Sequence, residues 1–262
     1  MATADDFFAT FRLGGKRALI TGAGGGIGRA LVRVFNSAGA SVIGADLEAS
    51  AMDGLELFGR LAFDLTDADA VESAVTSLES AGGADILISN AGFTRGETLT
   101  QIDREVWEKE LSLNLTSAFH LARPVIEGMA LRGGGSVVFI ASVNAFSHYG
   151  NPAYSAAKAG LVAYAKAIAL ERGANGVRAN VVCPGSVRTP AWDHRLEKSP
   201  DLLRRVLPHY PLGRMVTAEE VAYAALFLAS DAASGITGAV LPVDAGLTAG
   251  NLRFVNDVIG DK

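Results

Sequence analysis

The hydrophobic and polar positions of this chain fall into an alternating series of two patterns. Arg17-Ala18-Leu19-Ile20-Thr21 is a short apolar run ending in glycines, which predicts a buried strand. The spacing then changes to that of a helix over residues 26–38, with Ile27, Leu31, Val34 and Phe35 on one face. Further strands are predicted at 41–47, 61–65, 85–89, 136–141, 177–183 and 239–243. Helices are predicted at 66–80, with Thr66 as its cap, and at 103–131, 153–172 and 217–229, the last capped by Thr217. The strands read as continuous apolar runs and alternate with helices, the pattern of a parallel sheet covered on both faces. No linker, repeat or low-complexity stretch interrupts the series. The expected organisation is therefore one α/β domain over residues 14–250, with about seven strands. Residues 1–13 form an N-terminal extension and 251–262 a C-terminal tail. Residues 186–216 carry Pro190, Pro200, Pro208 and Pro211 and are expected to form a lid that moves or orders on binding.

Composition narrows the function classes. Of 262 residues, 49% are apolar and 19% charged, as in a compact globular protein, and the net charge of −5 disfavours a partner that tracks nucleic-acid phosphates. The single cysteine, Cys183, sits in an apolar run and reads as a small buried hydrophobe. The first eleven residues lack a basic region and an apolar core, so no signal peptide is expected, and no stretch is apolar over a bilayer's width. A cytoplasmic location and no membrane partner follow as expectations.

Candidate chemistry begins at the first strand–helix turn, Thr21-Gly22-Ala23-Gly24-Gly25-Gly26-Ile27-Gly28. A backbone that turns tightly and approaches a pyrophosphate needs residues without Cβ, and the helix behind it offers free N–H groups to the anion. The spacing is not the strict dinucleotide fingerprint, and glycines in a turn also occur for purely structural reasons. Asp46 ends the second strand, 18 residues after Gly28, where a carboxylate accepts both ribose hydroxyls and repels a 2′-phosphate. No Lys or Arg lies within residues 22–28 and Leu47 follows Asp46, which favours NAD over NADP. Tyr154 and Lys158 stand four apart at the start of a helix, on one face. A nearby ammonium and an oxidised nicotinamide would lower the phenol pKa and let it exchange a proton with a substrate oxygen. That spacing alone also fits a surface pair. Its placement after the fifth strand, whose end carries Ser142, puts it where parallel sheets bind ligands.

Taken together, these motifs resemble the short-chain dehydrogenase/reductase family across residues 14–250. Gly22, Gly26 and Gly28, with Ile27, match its cofactor turn. Asp64-Leu65 matches an acidic position beside adenine. Ser89-Asn90-Ala91-Gly92 resembles Asn-Asn-Ala-Gly, with Ser89 in place of the first Asn. Pro184-Gly185 follows the sixth strand as in the family, and Val187 and Thr189 stand where its members hold the carboxamide. Val243-Asp244-Ala245-Gly246 departs mildly from Val-Asp-Gly-Gly. The resemblance implies a Rossmann-like doubly wound fold and a catalytic set of Asn114, Ser142, Tyr154 and Lys158. In that set Ser142 orients the substrate oxygen, Tyr154 transfers the proton, Lys158 binds the ribose and lowers the tyrosine pKa, and Asn114 connects a water relay.

Two walls are expected around the substrate. Residues 143–151 supply Asn144, Phe146, His148, Tyr149 and Asn151, and the lid supplies Trp192, His194, Arg195, His209 and Tyr210. Arg95 and Glu97 follow the fourth strand. Of these, Asn144, His148 and Trp192, with Ser142 and Tyr154, are the candidate substrate contacts. This polar collection leans toward a sugar, polyol or other hydroxylated substrate. No metal is expected. The helix over 153–172 is rich in alanine around much of its circumference, and the resemblance implies a homotetramer built partly on it. The tail, Leu252 to Ile259, is apolar enough to dock across an interface, and fraying is the alternative. Alternative readings are a carbonyl reductase acting on a hydrophobic or acyl ketone, and a dinucleotide-binding regulator without turnover. The retained Ser142, Tyr154 and Lys158 argue against the regulator.

Overall fold

A computed structural model describes residues 8–94 and 98–260, except the side chains of residues 191 and 195. The predicted alternation is present as β1 (Arg17–Thr21), α1 (Gly26–Ser37), β2 (Ser41–Asp46), β3 (Gly59–Ala62), α2 (Ala68–Ser80) and β4 (Ile86–Ser89). There follow α3 (Arg104–Leu111), a π-helical turn (Ser112–Thr116), α4 (Ser117–Leu131), β5 (Gly135–Ile140), α5 (Pro152–Arg172) and β6 (Val177–Pro184). The chain continues through β7 (Val187–Arg188), α6 (Pro190–Lys198), α7 (Leu202–Val206), β8 (Val216–Thr217), α8 (Ala218–Ala229) and β9 (Val240–Val243). Seven strands form one sheet in the order β3-β2-β1-β4-β5-β6-β9. Every pairing in it is parallel, with Leu19 opposite both Ile43 and Leu87.

Side chains alternate across this sheet and feed two cores. Ala18 and Ile20 pack with Leu31 and Phe35 of α1 and Val221 and Leu228 of α8. Leu19 and Leu87 pack on the other face with Val75 of α2, Val125 of α4 and Leu161 of α5. The sheet is thus covered on both faces, as its continuous apolar strands require. The chain leaves β1 toward β3 on one side and returns to β4 on the other. A crevice opens at that reversal, outside the carboxyl ends of β1 and β4.

The differences from the sequence expectation have local causes. β3 ends at Ala62 rather than continuing to 65, and its residues alternate in burial because it is an edge strand with one neighbour. Thr66 does not cap α2. Asp67 does, accepting the N–H groups of Asp69 and Ala70 at 3.0 and 3.2 Å, while Thr66 donates to the Asp64 carboxylate. The single helix expected over 103–131 is broken by the π turn at 112–116. Thr217 does cap α8, in a reciprocal arrangement with Glu220. The lid segment contains a small parallel sheet of β7 and β8 that apolar patterning does not reveal. Ala245 holds a left-handed φ of 52°, which explains why glycine is at home in this position of the motif. Before residue 14 the chain is tied to the body: Ala232 N–H donates to Thr10 O at 3.1 Å, and Phe11 stacks near Phe227. Among the described residues, no helix is long and apolar enough to cross a membrane.

Candidate active site

The crevice holds a cavity of about 440 Å³ lined by Gly22, Gly26, Ile27, Gly28, Asp46, Asp64, Leu65, Asn90, Ala91, Gly92 and Thr189. Its wall also contains Gly25, Leu47 and Leu113, which lie in segments read from the sequence, and Phe63 and Phe93, which sequence reasoning did not single out. The glycine turn is sterically obligatory at its ends. Gly22 has φ +63°, and a Cβ on Gly28 would lie 1.9 Å from the Gly22 carbonyl oxygen. The backbone therefore folds flat against the start of α1, leaving a cradle beside the first N–H groups of that helix. Thr189 overhangs the cradle: a Cβ on Gly26 would meet its methyl group at 2.7 Å.

Thr21 fastens the turn to the strand beside it. Its hydroxyl accepts the N–H groups of Asn90 and Ala91 at 3.0 Å each, and the Asn90 amide donates to Thr21 O at 2.9 Å and Gly22 O at 3.2 Å. Asp46 closes the far end, with Oδ2 accepting Gly24 N–H at 2.8 Å and Oδ1 accepting Leu47 N–H at 2.8 Å. Asp64 accepts both the N–H and hydroxyl of Thr66 on Oδ1, and these bonds hold its carboxyl below the usual carboxylate range. Among the described residues the cavity wall includes these two acids and no Lys or Arg. Arg29, the nearby cation, is spent on the carbonyls of Gly24, Ala51 and Asp53. The ribose and pyrophosphate of a nicotinamide dinucleotide fit this lining. Pro184 and Gly185 lie at the end of β6 with Gly185 N–H on Val243 O at 3.0 Å, and Val187 is buried in β7.

Asn114, Ser142, Tyr154 and Lys158 converge at the other end of the crevice. A Cβ on Gly92 would sit 2.7 Å from Asn114 Oδ1 and 3.3 Å from Lys158 Nζ, so both side chains meet at that glycine. Lys158 is buried, donates to Ile140 O at 3.0 Å, and lies over the Tyr154 ring, 5.4 Å from its centroid. Burial lowers its pKa to about 8, opposed by electrostatic interaction with Cys183 and Glu110. Burial likewise pushes the Tyr154 phenol up to about 12; a hydrogen bond with Ser142 pulls against this, and the charges of Glu110 and Cys183 add to it. The protein's own groups therefore favour the protonated phenol, because desolvation and the neighbouring negative charges outweigh the Ser142 hydrogen bond; the lowering expected from sequence also draws on the positive charge of oxidised nicotinamide. Cys183 is fully buried as expected, and burial raises its thiol to about 11.

The substrate-side candidates separate. His148 is exposed, and Trp192 is half-buried at the first turn of α6, with its backbone N–H on Thr189 O at 2.8 Å. Asn144 turns inward. Its Oδ1 accepts from Ser142 Oγ at 3.2 Å, and its amide donates to Gly150 O at 2.8 Å and Ser155 Oγ at 3.0 Å. Asn151 is not a wall residue: it is buried and caps α5, accepting Tyr154 N–H at 3.0 Å. Arg95 and Glu97 lie outside the described residues.

A family model described as enoyl-(acyl carrier protein) reductase matches residues 22–248. A solved oxidoreductase of the short-chain dehydrogenase/reductase family from Burkholderia thailandensis superposes with a TM-score of 0.88 at 42% identity, covering 94% of this chain and 98% of that one. The chain belongs to the short-chain dehydrogenase/reductase family. It is 42% identical to an uncharacterized oxidoreductase of Schizosaccharomyces pombe over 95% of this chain and 96% of the relative. It is 37% identical to a 3-oxoacyl-[acyl-carrier-protein] reductase of Thermotoga maritima, covering 90% of this chain and 99% of that protein. It is 35% identical to galactitol 2-dehydrogenase (L-tagatose-forming) of Cereibacter sphaeroides, over 93% and 99%. A gluconate 5-dehydrogenase from Burkholderia cenocepacia, solved with NADP and tartrate, has a TM-score of 0.85 at 30% identity over 93% and 99%. This short-chain dehydrogenase/reductase is thus an oxidoreductase that uses a nicotinamide dinucleotide on alcohol or ketone groups.

Proposed function

We propose that the protein is an NAD-dependent dehydrogenase of secondary alcohols, with a sugar, polyol or similarly hydroxylated molecule as substrate. The observation that supports NAD is the wall at Asp46. Its carboxylate ends β2 and lines the cavity, while the Arg29 guanidinium is committed to backbone carbonyls. A carboxylate there accepts ribose hydroxyls, and a 2′-phosphate would meet its charge with no Lys or Arg in the cavity wall among the described residues to offset it. The relative named for galactitol supports the hydroxylated class.

In the proposed mechanism the dinucleotide would lie along the glycine turn, held by Gly22, Gly26, Ile27, Gly28, Asp46, Asp64, Leu65, Asn90, Ala91 and Gly92, with Pro184, Gly185, Val187 and Thr189 at its nicotinamide end. Bound nicotinamide supplies the hydride acceptor for oxidation and the donor for reduction. Ser142 hydrogen-bonds the reacting oxygen. Tyr154 exchanges a proton with it at the phenol oxygen. Lys158 holds the ribose and counters the phenol's resistance to ionisation, and Asn114 connects a water relay that passes protons on toward solvent. His148 and Trp192 contact the rest of the substrate, whereas Asn144 serves by orienting Ser142.

The decisive experiment compares kcat/KM for NAD and NADP, across a screen of sugars, polyols, hydroxysteroids and hydroxyacyl compounds, in wild type and Asp46→Ala. Wild type favours NAD by about a hundredfold, the factor that about 3 kcal/mol of ribose hydrogen bonding and phosphate repulsion gives. Asp46→Ala erodes that ratio. A wild type that prefers NADP would remove the cofactor reading. An acyl-ketone reductase is the second reading, supported by the relative named as a 3-oxoacyl reductase, and turnover of only the hydroxyacyl compounds would select it.

A homotetramer and a cytoplasmic location complete the proposal. Leu131 and Leu170 are 89% and 85% exposed on α4 and α5, and the tail presents Phe254, Val258 and Ile259 outward. Apolar surface of this extent suits contact with further copies. Light scattering that returned a monomer would remove the assembly.

A further inference from the structure

Glu110 lies in the last turn of α3, 6% exposed, between the π turn and the start of α5. Its Oε2 accepts from Asn114 Nδ2 at 3.0 Å, and its Oε1 accepts from Asn151 Nδ2 at 3.1 Å. Asn151 Nδ2 also donates to Thr94 Oγ1 at 2.7 Å, while its Oδ1 accepts the backbone N–H of Tyr154 at 3.0 Å. Asn151 holds φ 45°, in the left-handed region that Asn enters more readily than other residues with a side chain. Asn114 Oδ1 accepts Phe93 N–H at 3.2 Å, and its Nδ2 donates to Phe93 O at 2.9 Å. One buried carboxylate thus joins the loop after β4, the π turn carrying Asn114, and the helix end carrying Tyr154.

The orientation of both carboxamides is set from outside this contact. Each uses its oxygen on a backbone N–H, so each turns its NH₂ toward Glu110. A carboxylate accepts at both of its oxygens. A carboxamide accepts at only one and would press NH₂ against NH₂ at the other, and an apolar side chain would accept at neither. Burying a carboxylate for packing alone is unfavourable, and an apolar residue would fill the same space at lower cost.

We propose that Glu110 is a positioning residue for proton transfer, fixing Asn114 directly and the Tyr154 end of α5 through Asn151. This rests on the reading of Asn114, Ser142, Tyr154 and Lys158 as the proton-transfer set. The bonds it makes place two members of that set relative to each other, although they come from elements about forty residues apart in sequence.

The test is a hydrogen-bond exchange between two positions. Glu110→Gln sets NH₂ against NH₂. Asn151→Asp sets carboxylate against carboxylate. The double variant Glu110→Gln/Asn151→Asp restores a donor facing an acceptor, with the same net charge as wild type. Three readouts are taken: NADH affinity by fluorescence, amide hydrogen exchange over residues 151–158, and kcat for NAD reduction. The last uses galactitol or the best alcohol of the screen above. Each single variant is expected to lose about tenfold or more in kcat, the scale of a charge-assisted buried hydrogen bond, with NADH affinity within about twofold. Exchange over 151–158 accelerates in each single variant. The double variant recovers most of the lost kcat and the slow exchange, which a general loss of stability would not do. Wild-type exchange and kcat in Glu110→Gln, or a double variant no better than either single one, would overturn the assignment. Tyr154→Phe in the same assay separates the two claims. If it retains turnover, the proton-transfer reading fails; if it is dead while Glu110→Gln is unimpaired, only the role of Glu110 fails. The exchange measurement needs no substrate and decides the positioning by itself.

Discussion

At the scale of single residues, the site is a contest between desolvation and charge. Lys158 shows the outcome most plainly, because burial brings its pKa down from 10.5 to about 8. Below about pH 8 folded and unfolded chains both carry that proton; between about 8 and 10.5 only the unfolded chain does. Stability attributable to this group therefore rises with pH across that window, as the cost of burying an ammonium disappears. Lys158→Met has no such group. Its stability relative to wild type, followed by urea denaturation from pH 7 to above 10, should decline by about 3 kcal/mol, at about 1.4 kcal/mol per pH unit. A difference that stays flat across the window would mean the ammonium is not buried as described. Tyr154, Lys158 and Ser142 were legible in the sequence because their chemistry and spacing are distinctive. Glu110 was not, since an acid between Lys109 and Leu111 in a helix reads as solvent-facing until the partners from α5 are in place. Asn144 and Asn151 were legible as polar residues near the site but not as its internal supports. Their bonds run to Ser142, Ser155 and the N–H of Tyr154, and only the folded turn defines these.

At the scale of elements, the strands declared themselves because a sheet buried on both faces needs unbroken apolar runs, and β1, β4 and β5 have them at Ala18–Ile20, Ile86–Ile88 and Val137–Ile140. Edge strand β3 was displaced for the converse reason. The π turn at 112–116 was invisible because one extra residue in a helical turn leaves the apolar spacing on either side almost unchanged. That turn carries Asn114, so the irregular element coincides with a candidate functional residue. The segment 186–216 is better anchored than a free lid. Its start and end are joined by β7 and β8, and Tyr210 OH accepts Ser186 N–H at 3.1 Å from within the core. Tyr210→Phe leaves that N–H without its acceptor, and local opening of residues 186–216 should become easier by about 1–3 kcal/mol. Amide exchange confined to that segment reads the effect, and exchange that accelerates equally across the whole chain would contradict it.

At the scale of the whole molecule, strand order sets the chemistry's location. The reversal between β3 and β4 opens the crevice, and the glycine turn of β1 and the Gly92 loop of β4 form its two lips. β5 and α5 then bring Ser142, Tyr154 and Lys158 to one end of it, while Asp46 stands at the other. This placement brings the acid proposed to select the cofactor and the set proposed to transfer the proton into one crevice, and family membership follows from the order of motifs and not from any one of them. The substrate is the part least written in the order of elements, because the groups that would meet it lie in turns and in the segment over 186–216. The most direct test of the central claim is Tyr154→Phe, with NADH affinity measured by fluorescence and turnover measured on the best alcohol of the screen. A loss of about a hundredfold or more in kcat, with NADH affinity within about threefold of wild type, is the predicted result for removal of the group that moves the proton. Undiminished turnover in that variant would contradict the account.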